Sequence, residues 1–195
     1  MMPNSLCEIL SGYEQRWFRT YENQFDERSD TVSRFKKLLV NQEAPFSRDT
    51  FPGHFTASCF VVDPQFSHIL LLKHRKLGKW LQMGGHCDGE INFAEVALRE
   101  AQEETGSEHI EILEHQVIDL DIHRIPKNNK EEEHEHFDVR FLGVCKKPEQ
   151  LERSERECSD LQWFSWDKAL QVTHEESMLR VFRKIHFLLE KGALS

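Results

Sequence analysis

Gly85 to Ser107 read GHCDGEINFAEVALREAQEETGS, and this stretch decides how the chain folds. Asn92 is a good helix N-cap, and Glu95 three residues on can return a capping-box bond to its backbone N–H. Ile91 and Val96 occupy the two positions of a hydrophobic staple. Ala94, Ala97, Leu98 and Ala101 form an apolar stripe of small residues suited to close packing on a sheet. Gly106 supplies the left-handed residue that ends the helix. Glu95 and Arg99 form an i, i+4 pair in the favourable order, so the arginine reads as an internal strut. Glu100, Glu103 and Glu104 stand at i, i+3 and i+4 and project from one face. Like charges at that spacing each cost ~0.2–0.5 kcal/mol, and the negative end of the helix dipole adds ~0.3–1 kcal/mol apiece. A divalent cation reverses both penalties, because hard cations such as Mg²⁺ bind carboxylate oxygens. The segment reads as a metal site; the plainer alternative is a solvated acidic face.

At these residues the chain resembles the Nudix hydrolases, whose signature is G-x5-E-x7-R-E-U-x-E-E-x-G-U with U a bulky aliphatic residue. Gly85, Arg99, Glu100, Glu103, Glu104 and Gly106 match at the required spacing. Three positions depart: the first glutamate falls on Ile91, and the two U positions hold Ala101 and Ser107. In the family that first glutamate commonly holds the arginine, so Glu95, Asp88 or Glu90 is expected to take its place. The resemblance implies a metal sphere of Glu100, Glu103, Glu104 and the Gly85 carbonyl, filled by Mg²⁺ or Mn²⁺. It implies catalytic roles for Glu103, Glu100 and Arg99, with Glu103 or Glu100 as general base. Glu155 and Glu157 are the candidate bases outside the box, although a charge run there is more simply an exposed one.

Composition agrees. A chain of 195 residues is long enough for a full core. Its formal charge is −9, with no basic run to track a nucleic-acid backbone, so a nucleic-acid polymer is not expected as partner. No apolar stretch approaches the roughly 18 residues of a membrane span, and the first residues lack the basic start and apolar core of a secretory signal. Five cysteines, an odd number without CxxC spacing, argue for free thiols and a cytoplasmic location.

Leu6, Ile9, Leu10, Tyr13, Trp17 and Tyr21 recur at helical spacing, as do Val32, Phe35, Leu38 and Leu39. Both helices end before Pro45. Their stripes can cover a substrate cleft, a partner subunit in a homodimer, or the domain's own core, and docking on the core is the expected use. From Phe55 the pattern turns to buried strands, TASCFVV and HILLLKH, around a turn at Asp63-Pro64. Two longer strands follow the signature helix, then a short strand near Leu161–Phe164 and a closing helix with Met178, Phe182, Ile185 and Leu189 on one side. The expected architecture is a Nudix-like α/β/α sandwich with a mixed sheet. A helical N-terminal extension over 1–50 precedes a hydrolase domain over 51–195.

In the longer strands Ile118, Leu120 and Ile122 alternate with Asp119, Asp121 and His123, and Phe137, Val139 and Phe141 with His136, Asp138 and Arg140. Paired as a hairpin across Pro126 to Glu133, they gather the polar groups on one surface. A half-exposed antiparallel sheet shows the same alternation for no functional reason. Aspartate is poor in strands, so His123, His136 and Arg140 are candidate substrate contacts. A second candidate is Arg75, within the basic cluster Lys73, His74, Arg75, Lys76 and Lys79, whose planar fork suits phosphate oxygens.

The expected activity is metal-dependent hydrolysis of a phosphoanhydride bond in a small phosphorylated molecule, a nucleoside diphosphate linked to some group X. NDP-sugars, dinucleotides and nucleoside triphosphates all remain open, because variable loops choose X. The alternative is a catalytically weak Nudix-fold module that binds nucleotides for regulation, an idea fed by Ile91. A diphosphate isomerase using Cys59 or Cys87 is a third option; a lone cysteine is more often a small core residue.

Overall fold

The alternation that begins near Phe55 builds a mixed sheet, seen in a computed structural model that describes residues 6–25, 28–129, 131–154 and 158–194, with backbone only at 114–116. Its strands are β1 (Gly53–Val62), β2 (His68–His74), β3 (Trp80–Leu81), β4 (Met83–His86), β5 (Ile110–Ile125), β6 (His134–Cys145) and β7 (Cys158–Ser165). The main path runs β3-β2-β1-β6-β5, with β4 paired to β1 and β7 to β2. β1 and β6 are parallel, with Phe55 beside Phe137; the other pairs are antiparallel. β5 and β6 form the expected hairpin, with Ile125 opposite His134. The helices are α1 (Leu6–Tyr13), continued by a wider π-helical stretch over Glu14–Thr20, then α2 (Thr31–Asn41), α3 (Phe93–Thr105), α4 (Trp166–Val172) and α5 (Glu176–Glu190). Among the described residues, no helix is long and apolar enough to cross a membrane.

Side chains alternate along β1, so its two faces serve different layers. Phe55 meets Phe35 of α2 at 5.9 Å and Phe93 of α3 at 5.6 Å between ring centroids. Phe60, of opposite parity, meets Phe182 of α5. Helices therefore cover both faces of the sheet, and the chain is an α/β/α sandwich. Trp17 and Phe35 are fully buried in the same apolar cluster as the strands, so both N-terminal stripes dock on the core. Burial of each such ring is worth about 1.5–3 kcal/mol.

The half-exposed sheet is corrected, because α1 and α5 close over the polar face of the hairpin. Asp119, Asp121, Asp138 and Arg140 are all buried. Lys184 of α5, itself fully buried, reaches Asp119 at 2.7 Å, the Tyr13 hydroxyl at 2.9 Å and the Ile118 carbonyl at 3.0 Å. Arg180 donates to Asp119 at 2.9 and 2.7 Å. A buried charge survives only when paired and hydrogen-bonded, and here several cations share a few carboxylates.

Candidate active site

Helix α3 begins and ends where its sequence says it should. The Asn92 side chain accepts from Glu95 N, and Gly106 closes the helix at φ 62°. The start differs in detail. Ile91 is 63% exposed, so the staple to buried Val96 is not made. The Asn92 N–H donates to Glu90, at 2.8 Å, in place of the Glu95 capping-box bond.

The apolar stripe turns the glutamate face toward β4. Glu104 is buried and accepts a hydrogen bond from Gly84 N at 3.0 Å. The Glu100 side chain, 13% exposed, lies directly over Gly85, where an added Cβ would stand 2.5 Å from its carboxyl carbon. At Gly84 a Cβ would stand 2.8 Å from Ser58 Cα. Close approach, not a turn, thus accounts for both glycines. Glu103 is the outermost of the three, with its side chain 62% exposed.

Arg99 is not the strut expected from Glu95. It donates to Glu100 at 2.7 Å and to the His86 carbonyl at 3.3 Å, and lies 3.6 Å from Glu103. The other two expected substitutes are engaged elsewhere, Glu90 on Asn92 and Asp88 with Arg48, whose Nε donates at 2.6 Å. Arg48 holds the Asp88 carboxyl below its ordinary range. Arg99 therefore braces the carboxylates without a first signature glutamate. Ile91→Glu is expected to leave kcat within about threefold, because the Arg99 donors already have acceptors; a tenfold gain in a steady-state assay would show the present site to be impaired.

The four substrate-contact candidates are scattered. Arg140 is corrected: it is 3% exposed and donates to Asp138, Asp119 and Asp121 at 2.9, 3.3 and 3.0 Å. Burial opposes its charge, but these aspartates outweigh burial and raise its pKa. It is a structural cation, buried among these carboxylates. His123 and His136 come together, with ring centroids 5.3 Å apart. His123 is partly exposed and bonds Asp121 at 3.0 Å. Arg75 is exposed on the turn after β2 and donates to the Cys158 carbonyl at 3.2 Å. Glu155 and Glu157 lie outside the described residues. Cys59 and Cys87 are buried, and desolvation pushes both thiols well above their ordinary range, which suits inert core residues.

Neither His54 nor His86 belongs to the signature, and sequence reasoning missed His54 altogether. Both rings gather with His136 on the face opposite Glu100, since successive residues of β4 point to opposite sides. Burial first, then neighbouring cations and imidazoles, lowers His86 to about 4 and His136 to about 2. The available signal was His54, Thr56 and Ser58 at alternate places in an otherwise apolar strand.

Carboxylates converging on a glycine-bared strand edge are the hard oxygen donors that Mg²⁺ or Mn²⁺ requires, so the residues present fit a hard divalent cation. The fold and this helix define a class, the Nudix-type pyrophosphohydrolases. The family model of the NUDIX domain matches residues 52–185, and the chain belongs to that family. Among solved structures, an Ap4A hydrolase from C. elegans is similar at 19% identity and TM-score 0.57, over 70% of this chain and 98% of that one. A NUDIX-family hydrolase from Clostridium perfringens shares 24% identity at TM-score 0.51, covering 69% and 97%. The NUDIX domain of Shewanella oneidensis NrtR, solved with ADP ribose, shares 16% at TM-score 0.52, covering 79% and 97%. No curated protein matches the chain significantly in sequence.

Proposed function

We propose that this chain hydrolyses a phosphoanhydride bond in a nucleoside diphosphate linked to a further group, using Mg²⁺ or Mn²⁺ held by Glu100, Glu103, Glu104 and the Gly85 carbonyl. The observation that supports it best is the set of three glutamates delivered by α3 to the Gly84-Gly85 edge of β4, two of them already seated on that strand. Bound there, the cation supplies neutralisation of charge on the phosphate oxygens and a more acidic attacking water. The remaining tasks fall to side chains. Glu103, the exposed carboxylate, accepts the proton of the attacking water. The bond from Gly84 N fixes Glu104, and Arg99 positions Glu100 by direct ion pairing. Arg75, exposed on the turn after β2, clamps a phosphate oxygen with its planar fork. His123, the partly exposed ring, remains a candidate contact for the distal group. Thiols kept free fit work in the cytoplasm.

The test is product release from a panel of NDP-sugars, ADP-ribose, Ap4A and nucleoside triphosphates with Mg²⁺ or Mn²⁺. Metal-dependent turnover of one class, absent from Glu103→Gln, is the expected result and names the distal group. Silence across the panel, with nucleotides still raising Tm, would replace hydrolysis by nucleotide binding.

A further inference from the structure

A second group of ligand-type side chains stands behind β4, on the sheet face away from α3. His54 of β1, His86 of β4 and His136 of β6 each offer one ligand atom, and these atoms all lie within 4.8 Å of one another. Strand pairing explains the meeting. His54 is the register partner of His136 across the parallel β1–β6 pair, and His86 is the partner of Thr56, two residues further along β1. The His54 ring centroid is 4.9 Å from that of His136 and 5.2 Å from that of His86.

Hydrogen bonding sets the tautomer of the central ring. His54 is 1% exposed, and its Nδ1 lies 3.1 Å from the Thr50 carbonyl, to which only a protonated nitrogen can bond. Nε2 is left with a bare lone pair, is buried, and has no hydrogen-bond partner. A buried polar atom without a partner carries a desolvation penalty that a bound ligand would relieve. A ring nitrogen bonded to a backbone carbonyl while its opposite lone pair is held ready is the usual arrangement of a metal-bound histidine. The His134 Nδ1 donates to the Glu132 carbonyl at 2.8 Å, so its Nε2 accepts from His136 Nε2 at 3.2 Å and leaves His136 Nδ1 as the nitrogen able to ligate.

We propose that His54, His86 and His136 form a second metal site, built for a borderline transition-metal ion such as Zn²⁺. An all-imidazole set suits zinc and its neighbours, whereas Mg²⁺ and Mn²⁺ prefer the carboxylates on the opposite face. Zn–N bonds of about 2.0–2.1 Å in tetrahedral geometry place ligand nitrogens roughly 3.4 Å apart, which asks each ring to move inward by less than about 1 Å. The ion ties β1, β4 and β6 together at the strand whose glycines receive Glu100 and Glu104. Its role is to brace that edge, and its uptake is independent of hydrolysis at the carboxylates.

The test strips the full chain with a chelator and titrates it with Zn²⁺ in excess Mg²⁺, followed by zinc-edge X-ray absorption. One tightly bound equivalent with an imidazole shell at about 2.0–2.1 Å and a raised Tm is the expected result. His54→Gln, His86→Gln and His136→Gln should each weaken zinc affinity at least tenfold, and Glu103→Gln should leave it unchanged. No stoichiometric uptake by the unmodified chain, or a shell of oxygens without imidazole scattering, would overturn the proposal. The wild-type spectrum decides even where a histidine variant fails to fold.

Discussion

Glu103→Gln lowers kcat at least ~100-fold while the folded protein remains intact, the loss expected when a group that takes a proton in the transition state is removed. The side chain is largely exposed and keeps its shape as glutamine, so no packing is lost. Without divalent metal the variant should be slightly more stable, by ~0.2–0.5 kcal/mol for each like-charge contact relieved. Glu104→Gln should produce a comparable fall for a different reason. Its amide oxygen still accepts from Gly84 N, so the strand stays seated, but the charge that holds the cation is gone. The separating measurement is a metal titration of kcat: Glu104→Gln should need more Mg²⁺ for half-maximal rate, and Glu103→Gln should stay slow at saturation. Wild-type turnover in both variants would remove the glutamates from the active site.

Asp119→Ala has the largest expected effect on stability, a loss of about 3–5 kcal/mol, because truncation leaves Lys184, Arg180 and Arg140 facing one another without the carboxylate they share. Urea unfolding monitored by circular dichroism measures it. Burial by itself would raise the Asp119 pKa, but Lys184, Arg180 and Arg140 more than reverse it and the net shift is downward. Asp121 is lowered in the same way, with burial opposed by Arg140 and His123. A carboxyl depressed on folding contributes stability that is complete above the unfolded value of about 3.9 and lost as pH falls toward the folded one. The gap between the wild type and Asp121→Asn should therefore be constant from neutrality to about pH 5 and shrink below pH 4. A gap unchanged at pH 3 would mean that shape, not charge, sets the cost.

Local order was legible where a few consecutive residues suffice to set it. The Asn92 cap, the Gly106 stop and the i, i+3, i+4 glutamates depend on backbone geometry within one helix, and each stands where the sequence places it. Period-two alternation likewise exposed the β5–β6 hairpin across Pro126 to Glu133, although its register came only from the structure. The errors share a cause. Ile91 looked like a staple, Glu95 like the partner of Arg99, and Arg140 like a substrate contact, because each has a plausible neighbour in sequence. Their actual surroundings come from β4, α5 and the polypeptide that crosses over them. No local pattern says that Lys184 and Arg180 of the last helix will descend on Asp119, 65 and 61 positions away.

The sequence by itself determined the family, the helix that bears the carboxylates, and the face from which they project, since spacing along one chain is enough for all three. Tertiary structure alone decided which groups meet: that Gly85 is bare because Glu100 lies on it, that Arg140 is consumed by aspartates, and that three histidines from three strands share one small volume. Such encounters depend on strand order and on which face each helix covers, and long-range packing sets those after the local elements have formed.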